Sequence, residues 1–212
     1  MILEEKKKIL IDYLVRNNIL KTKKIIKAFK TVQREKFVLP KYKTHAYIDE
    51  PLPILDGQTI SQPTTIAIMT EALEPKTGQK ILEIGAGSGY QAAILSKVVG
   101  ARGKIYTIER LEKLYKYAKR KLRNYKNVKV IHGDGSKGYE ERAPFDRIIV
   151  TAAAPKLPEK LFDQLKENGV LIAPVGSGMQ QRMLKIRKIR GKKKEEDLGS
   201  FVFVPLVGEF GH

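Results

Sequence analysis

The stretch Lys80-Ile81-Leu82-Glu83-Ile84-Gly85-Ala86-Gly87-Ser88-Gly89-Tyr90 constrains this chain more than any other. A short apolar run ending in a carboxylate reads as a buried parallel strand. A glycine-rich turn follows, and the alanine-rich stretch from Gln91 to Val99 reads as a helix. Strand, glycine turn and helix form the opening unit of a doubly wound α/β sheet. Glycine permits positive φ and lets a ligand approach the backbone, while the new helix presents free N–H groups to it. The spacing narrows the choice. A dinucleotide fingerprint requires G-x-G-x-x-G, but here the third glycine arrives one residue early, at Gly89. The Gly-Lys-Ser/Thr ending of a P-loop is absent.

The rest of the chain extends the pattern. Lys104 to Ile108 reads as a strand ending at Glu109, and Leu111 to Leu122 as a helix. Asn127 to Ile131 is the next strand, followed by the turn His132-Gly133-Asp134-Gly135. Phe145 to Val150 leads into Thr151, Glu159 to Leu165 is a short helix, and Gly169 to Pro174 is a further strand. The end differs. Arg182 to Arg190 and Phe201 to Val207 read as strands joined by a charged turn at Gly191 to Asp197, and such a pair should be antiparallel.

Upstream, Met1 to Lys36 reads as helical, broken at Asn17-Asn18, with Thr22 as an N-cap. Phe37 to Pro63 carries Pro40, Pro51, Pro53 and Pro63, yet is too apolar for a disordered linker. A long, ordered, irregular segment in a compact domain points to a ligand-binding wall, against the alternative of a loop that only wraps the core. A helix should then run from Thr64 to Leu73, capped by Ser61 or beginning at Thr64 itself. The expected class is therefore α/β: a doubly wound, mostly parallel sheet with a C-terminal antiparallel strand pair and an N-terminal helical extension. The expected division is one domain over 1–212, with the helical extension at 1–36, a substrate-side loop segment at 37–63 and a cofactor-binding Rossmann-like core at 80–212.

Composition removes several functions. The 212 residues contain no cysteine, so a thiolate nucleophile, a disulfide and a Cys-ligated zinc site are excluded. No apolar run is long enough to span a bilayer, and no apolar core with a small-residue cleavage site follows the N-terminus; the expected address is cytoplasmic. The three histidines, His45, His132 and His212, are scattered, and no metal is expected. The net charge of +18 invites a polyanionic partner, but the lysines are spread along the chain beside glutamates. That spread, with high Lys and Glu, also fits adaptation to heat.

Glu83, the glycine turn, Glu109, Asp134 and Thr151 all fall just past strand C-termini, where open α/β sheets hold ligands. Glu109 stands twenty residues beyond Gly89, where a carboxylate can accept from ribose hydroxyls. The motif Glu-x-Gly-x-Gly-x-Gly resembles the cofactor loop of Rossmann-like S-adenosylmethionine-dependent methyltransferases. That resemblance implies S-adenosylmethionine as cofactor and S-adenosylhomocysteine as product. Glu83 then suits the methionine ammonium, loop N–H groups the carboxylate, Glu109 the ribose and Asp134 an adenine amine.

A more specific resemblance covers Phe29 to the C-terminus. It rests on Tyr47-Ile48-Asp49-Glu50-Pro51-Leu52-Pro53-Ile54, Gly57-Gln58-Thr59-Ile60-Ser61-Gln62-Pro63, the glycine turn, Phe145-Asp146-Arg147-Ile148-Ile149-Val150-Thr151-Ala152-Ala153, and Val204-Pro205-Leu206. These segments resemble the protein-L-isoaspartate O-methyltransferase family. The resemblance implies methylation of the free α-carboxylate of L-isoaspartyl residues in damaged proteins and peptides, with repair following through a succinimide. It assigns the active-site serine to Ser61, the substrate-facing loop to Thr59 and Ile60, and the floor of the site to Thr151, Ala152 and Ala153. Cofactor contacts fall on Glu83, Gly85, Ala86, Gly87, Gly89, Glu109, Asp134 and Gly135. Thr64 replaces a histidine or tyrosine found in some members, which bears on peptide preference. The expected partners are isoaspartyl peptides and proteins, with no membrane, a monomeric chain favoured and nucleic acid disfavoured. Two rivals stay open: a nucleic-acid methyltransferase sharing the cofactor end, and a non-enzymatic polyanion binder on a relic fold.

Overall fold

The computed structural model describes residues 2–178 and 180–212; Met1, at the head of the expected N-terminal helix, lies outside them. Two helices open the chain, α1 (Leu3–Arg16) and α2 (Lys23–Thr31). The break between them falls at Asn17-Asn18, with Asn18 in the left-handed region at φ 55°. Thr22 does occupy the N-cap position of α2, but its hydroxyl makes no capping bond. Instead it donates to Glu71 at 2.7 Å, and the Lys21 and Thr22 amides donate to the same carboxylate. Glu71 lies on α3 (Pro63–Leu73), so this one side chain ties the helical extension to the main body.

The irregular segment before α3 is ordered by short 3-10 turns at Arg34–Lys36 and Pro40–His45. A two-residue ladder follows, β1 (Leu52–Pro53) with β2 (Thr59–Ile60), paired antiparallel. Helix α3 starts at Pro63 with Gln62 as N-cap, so neither Ser61 nor Thr64 opens it. Proline suits the first helical position because its missing N–H would have no intrahelical partner.

The sheet contains β3 (Lys80–Ile84), β4 (Lys104–Glu109), β5 (Val128–His132), β6 (Phe145–Val150), β7 (Leu165–Ser177), β8 (Gln180–Ile189) and β9 (Lys192–Phe201). Their spatial order is β5-β4-β3-β6-β7-β8-β9, parallel through β7 and antiparallel thereafter. Helices α4 (Tyr90–Val99), α5 (Glu112–Lys121) and the short α6 (Glu159–Asp163) connect the parallel strands. Strands buried on both faces explain the continuous apolar runs. Ile81, Ile105, Ile149 and Ile172 join the core beneath α1 to α4. Leu82, Ile84, Ile148 and Val150 pack with Leu161 and Phe162 of α6 on the other face.

One expectation is corrected at the end of the sheet. Of the charged run Gly191 to Asp197 only Gly191 is in the turn; Lys192 to Asp197 form the first part of β9. The turn is Arg190-Gly191, both at positive φ, 51° and 72°, as a tight hairpin requires. Strand character ends at Phe201, and Val202 to Val207 runs on as a tail, held to the body by an isolated bridge between Ala153 and Pro205.

Candidate active site

Strand order reverses between β3 and β6, where the chain first goes to β4 and β5 and later returns to the other side of β3. The C-terminal ends of these two strands therefore flank a crevice, the place where open α/β sheets accept ligands. The glycine turn leaves β3 there, and Thr151 leaves β6 beside it. The Thr151 hydroxyl donates to the Gly85 carbonyl at 2.7 Å, and its amide donates to the Ile84 carbonyl at 2.9 Å. Gly85 sits at φ +91°, and a Cβ built there would lie 2.5 Å from the Thr151 hydroxyl oxygen. Glycine is thus required at this position twice over, by backbone angle and by space.

A cavity of about 370 Å³ opens over the crevice, within the size range of small-molecule sites. Thr59, Ile60, Ser61, Glu83, Gly85, Ala86, Gly87, Glu109, Gly135, Thr151 and Ala152 all line it. Eleven expected site residues from five separate stretches of sequence are thereby brought together. Three others are not among the residues that line it. Gly89 shapes the turn at φ +85° and leaves room for Leu122 against α4. Ala153 is fully buried, and its amide and carbonyl pair with Val204 and Leu206 of the tail. Asp134 precedes Gly135 and accepts from the Ser136 amide, the Ser136 hydroxyl and the Glu209 amide. Burial pushes the Asp134 carboxyl up, but the bonds from Glu209 and Ser136 outweigh it and hold the group below its ordinary value.

The two glutamates have different surroundings. Glu109 accepts the Gly87 amide at 2.8 Å on one oxygen and the Leu111 amide at 3.0 Å on the other, and each oxygen keeps a further lone pair. Glu83 is fully buried, and neither of its oxygens has a hydrogen-bond partner among the described residues. Burial pushes its carboxyl up to about 8; the nearby Thr107 hydroxyl and Ala92 amide pull the other way but do not offset it. Thr107 and the Gln91 side-chain carbonyl are also without partners at this depth. A buried carboxylate with two idle oxygens on a cavity wall suits a cationic group of a ligand. Those orphaned atoms, together with the free lone pairs of Glu109, fit the ammonium and ribose of S-adenosylmethionine. Among the described residues there is no cluster of three metal-ligating side chains.

The side of the cavity formed by Thr59 to Ser61 is fixed by long-range polar contacts. Arg34, fully buried, donates from Nε to the Ala46 carbonyl and from Nη2 to the Ser61 carbonyl, both at 2.8 Å. Burial lowers its guanidinium to about 10, so it stays charged at neutral pH. Asp49 accepts the Thr64 amide at 2.8 Å and the Thr64 hydroxyl at 2.6 Å, closing the N-terminus of α3 just beyond the serine. The small residue at 64 is therefore a ligand of Asp49. Reading the sequence did not find Val204 to Val207 as a wall of the cavity, nor Leu111 and Leu114 as its rim. Val204-Pro205-Leu206 was visible as a segment, but nothing in it signalled contact with the site.

The family model described as Protein-L-isoaspartate(D-aspartate) O-methyltransferase matches residues 5–211. A protein-L-isoaspartate O-methyltransferase of Staphylothermus marinus is 48% identical over 98% of this chain and 96% of its own length. That of Pyrococcus abyssi is 46% identical over 100% and 99%. Among solved structures, a putative protein-L-isoaspartate O-methyltransferase from Plasmodium falciparum, in complex with S-adenosyl-L-homocysteine, superposes with a TM-score of 0.83. It is 29% identical and covers 94% of this chain and 97% of its own.

Proposed function

The chain belongs to the protein-L-isoaspartate(D-aspartate) O-methyltransferase family, and on that premise we propose how its cavity divides between cofactor and substrate. The enzyme uses S-adenosylmethionine to methylate isoaspartyl residues in damaged proteins. In our reading Glu83, Gly85, Ala86, Gly87, Glu109 and Gly135 hold the cofactor directly, and Gly89 sets the turn that carries them. Glu83 faces the ammonium, the loop amides face the carboxylate and Glu109 accepts from the ribose. Asp134 has three of its roughly four acceptor sites filled, which leaves one for the adenine amine. Thr59, Ile60 and Ser61 form the acceptor wall, over a floor of Thr151, Ala152 and Ala153. The observation that carries this reading is that a single cavity is lined both by Glu83 and Glu109 and by Thr59 to Ser61.

When bound, the cofactor supplies a methyl group on a sulfonium. The acceptor is the free α-carboxylate of an L-isoaspartyl residue. It is ionised at neutral pH, so the chain needs no general base and contributes placement. The Ser61 hydroxyl orients one carboxylate oxygen, while Ile60, Ile66 and Met69 keep the approach poor in water. Charge cannot separate L-isoaspartate from L-aspartate, because both carry one carboxylate. Geometry does so: the isoaspartyl carboxylate hangs from Cα, and the chain continues through the β-carbon. Only that branching lets the carboxylate reach Ser61 while the peptide clears the wall.

We assign the surface charge to solvation. Lys113, Lys137, Lys166 and Lys185 each pair with an acid, Asp56, Glu209, Asp146 and Glu74 respectively. The protein acts as a monomer in the cytoplasm and has no nucleic-acid substrate; its three sequence segments, 1–36, 37–63 and 80–212, work as one domain. Among the described residues no helix is long and apolar enough to cross a membrane. A radiolabelled-methyl assay on paired peptides, with RNA as a third substrate, tests the assignment. Label should enter the L-isoaspartyl peptide and not its L-aspartyl twin; equal labelling of both, or labelling of RNA alone, refutes it.

A further inference from the structure

Arg34 occupies an unusual place. It is a charged side chain with no exposure, set between three pieces of the protein that are distant in sequence. Nε holds the Ala46 carbonyl, near the start of the irregular segment, and Nη2 holds the Ser61 carbonyl, near its end. The guanidinium carbon stands 5.2 Å from the centroid of the Tyr90 ring, the first residue of α4 and a wall of the cavity. Both hydrogen-bond acceptors are neutral carbonyls and Nη1 has no partner among the described residues, so the charge is met by these dipoles, the Tyr90 face and the nearby Asp49 carboxylate. Buried charge is a weak source of stability, since apolar groups of similar volume often serve the fold as well or better. A planar fork, in contrast, fixes two acceptors and a stacked ring in one geometry, which a flexible point charge does not.

We infer that Arg34 is a positioning residue for methyl transfer: through the Ser61 carbonyl it holds the serine loop at a set distance from the helix that follows the cofactor turn. The inference rests on the reading of Ser61 as the residue that orients the acceptor carboxylate. Asp49 fixes the chain three positions further on by binding Thr64, so the segment is pinned at Ser61 and at Thr64. Loss of the Arg34 contact frees the first of these points only. The loop then drifts while the glycine turn, Glu83 and Glu109 keep their places. A misplacement of about 1 Å at the reacting groups lowers rate by roughly a hundredfold.

The experiment compares Arg34→Lys, Arg34→Met, Ser61→Ala and the double variant Arg34→Met/Ser61→Ala. Each is assayed at a temperature well below its own midpoint of unfolding, and rates are normalised to sites counted by S-adenosylhomocysteine titration. Arg34→Met should lower kcat/KM for an L-isoaspartyl peptide by about 10- to 100-fold at saturating cofactor. Cofactor Kd should stay within about threefold of the parent, because the cofactor contacts lie elsewhere. Arg34→Lys, which can reach one carbonyl, should fall between. In the Ser61→Ala background the further loss from Arg34→Met should shrink to less than about threefold, since both changes act on one contact. Unchanged kcat/KM per titrated site in both Arg34 variants, with only a lower melting point, overturns the inference and makes Arg34 a structural residue. So does a full, multiplicative loss in the double variant. If Ser61→Ala alone leaves kcat/KM unchanged, the role given to the serine has failed, which is a different result from failure of Arg34.

Discussion

Glu83→Gln separates what the buried glutamate does for binding from what it does to stability. The side chain has no exposure and no hydrogen-bond partner among the described residues, and its carboxyl is pushed up by burial from the ordinary 4.5 to about 8. Between those two values the folded protein holds a proton that the unfolded chain has released. Stability contributed by this group is therefore full below about pH 4.5 and is lost as pH rises, with the loss complete above about 8. A shift of this size corresponds to roughly 5 kcal/mol across the window. Glutamine is close in shape and never ionises, so the variant lacks this slope. Guanidinium unfolding at pH 5 and pH 9 should show the variant gaining several kcal/mol on the parent at the higher pH. Binding should move oppositely. At pH 7 the parent must release close to one proton to pair Glu83 with the ammonium, which calorimetry in two buffers of different ionisation enthalpy counts directly. The glutamine variant should release none from this site and bind more weakly. Parallel pH-stability curves for the two proteins, or no proton released by the parent, would refute the reasoning.

Other perturbations act on neighbouring parts. Glu109→Ala should raise the cofactor Kd by about 10- to 150-fold, the equivalent of roughly 1.5 to 3 kcal/mol of charged hydrogen bonding, with kcat at saturating cofactor little changed. An unchanged cofactor dependence in saturation kinetics would place Glu109 outside the site. Gly85→Ala forces a side chain into positive φ and against Thr151, and should lower the melting point by about 2 to 4 °C per kcal/mol of strain while weakening cofactor binding. A melting point and Kd equal to the parent's would refute the crowding. Raising salt from 50 to 500 mM should change peptide kcat/KM by less than about threefold; a steep loss together with tight RNA binding would favour a polyanion site.

The parts legible in sequence were those written in local pattern. The β3 run, the glycine turn and Glu109 follow from a strand feeding a tight turn and a helix. The crevice location follows because each candidate stands just past a strand end. Other parts depend on contacts that no local pattern encodes. Lys192 to Asp197 contains no apolar residue, so hydrophobic alternation gave no signal for β9, whose order comes from pairing with β8. Arginine in the left-handed position of the hairpin hid the turn, because Asn-Gly or Asp-Gly is the usual marker. Arg34 meets Ser61 from 27 positions away and Asp134 meets Glu209 from 75 away. Asp134 was therefore legible as a carboxylate at a strand end, but not as the anchor of the tail that walls the cavity. Thr22 read correctly as a cap by position, yet its hydroxyl serves Glu71 on another helix.

Strand β9 has a consequence for the company this enzyme keeps. It is the outer strand of the sheet, so among the described residues one line of its backbone N–H and C=O groups has no neighbouring strand. Such a line is a template on which any extended chain can add. The enzyme's substrates are damaged proteins, and any that are partly unfolded bring extended segments to it. Yet the template presents Lys192, Lys193 and Lys194 and then Glu195, Glu196 and Asp197, nearly all exposed. Lys193, Glu196 and Asp197 pair with Glu159, Lys185 and Arg182, but an apolar strand that docks there must still desolvate the whole charged run and offers it no new partner, which is unfavourable. The edge is thus selective against aggregation with the very molecules the cavity must admit. Neutralising those six positions should leave methyl transfer intact on short peptides and make the enzyme co-precipitate with unfolded clients.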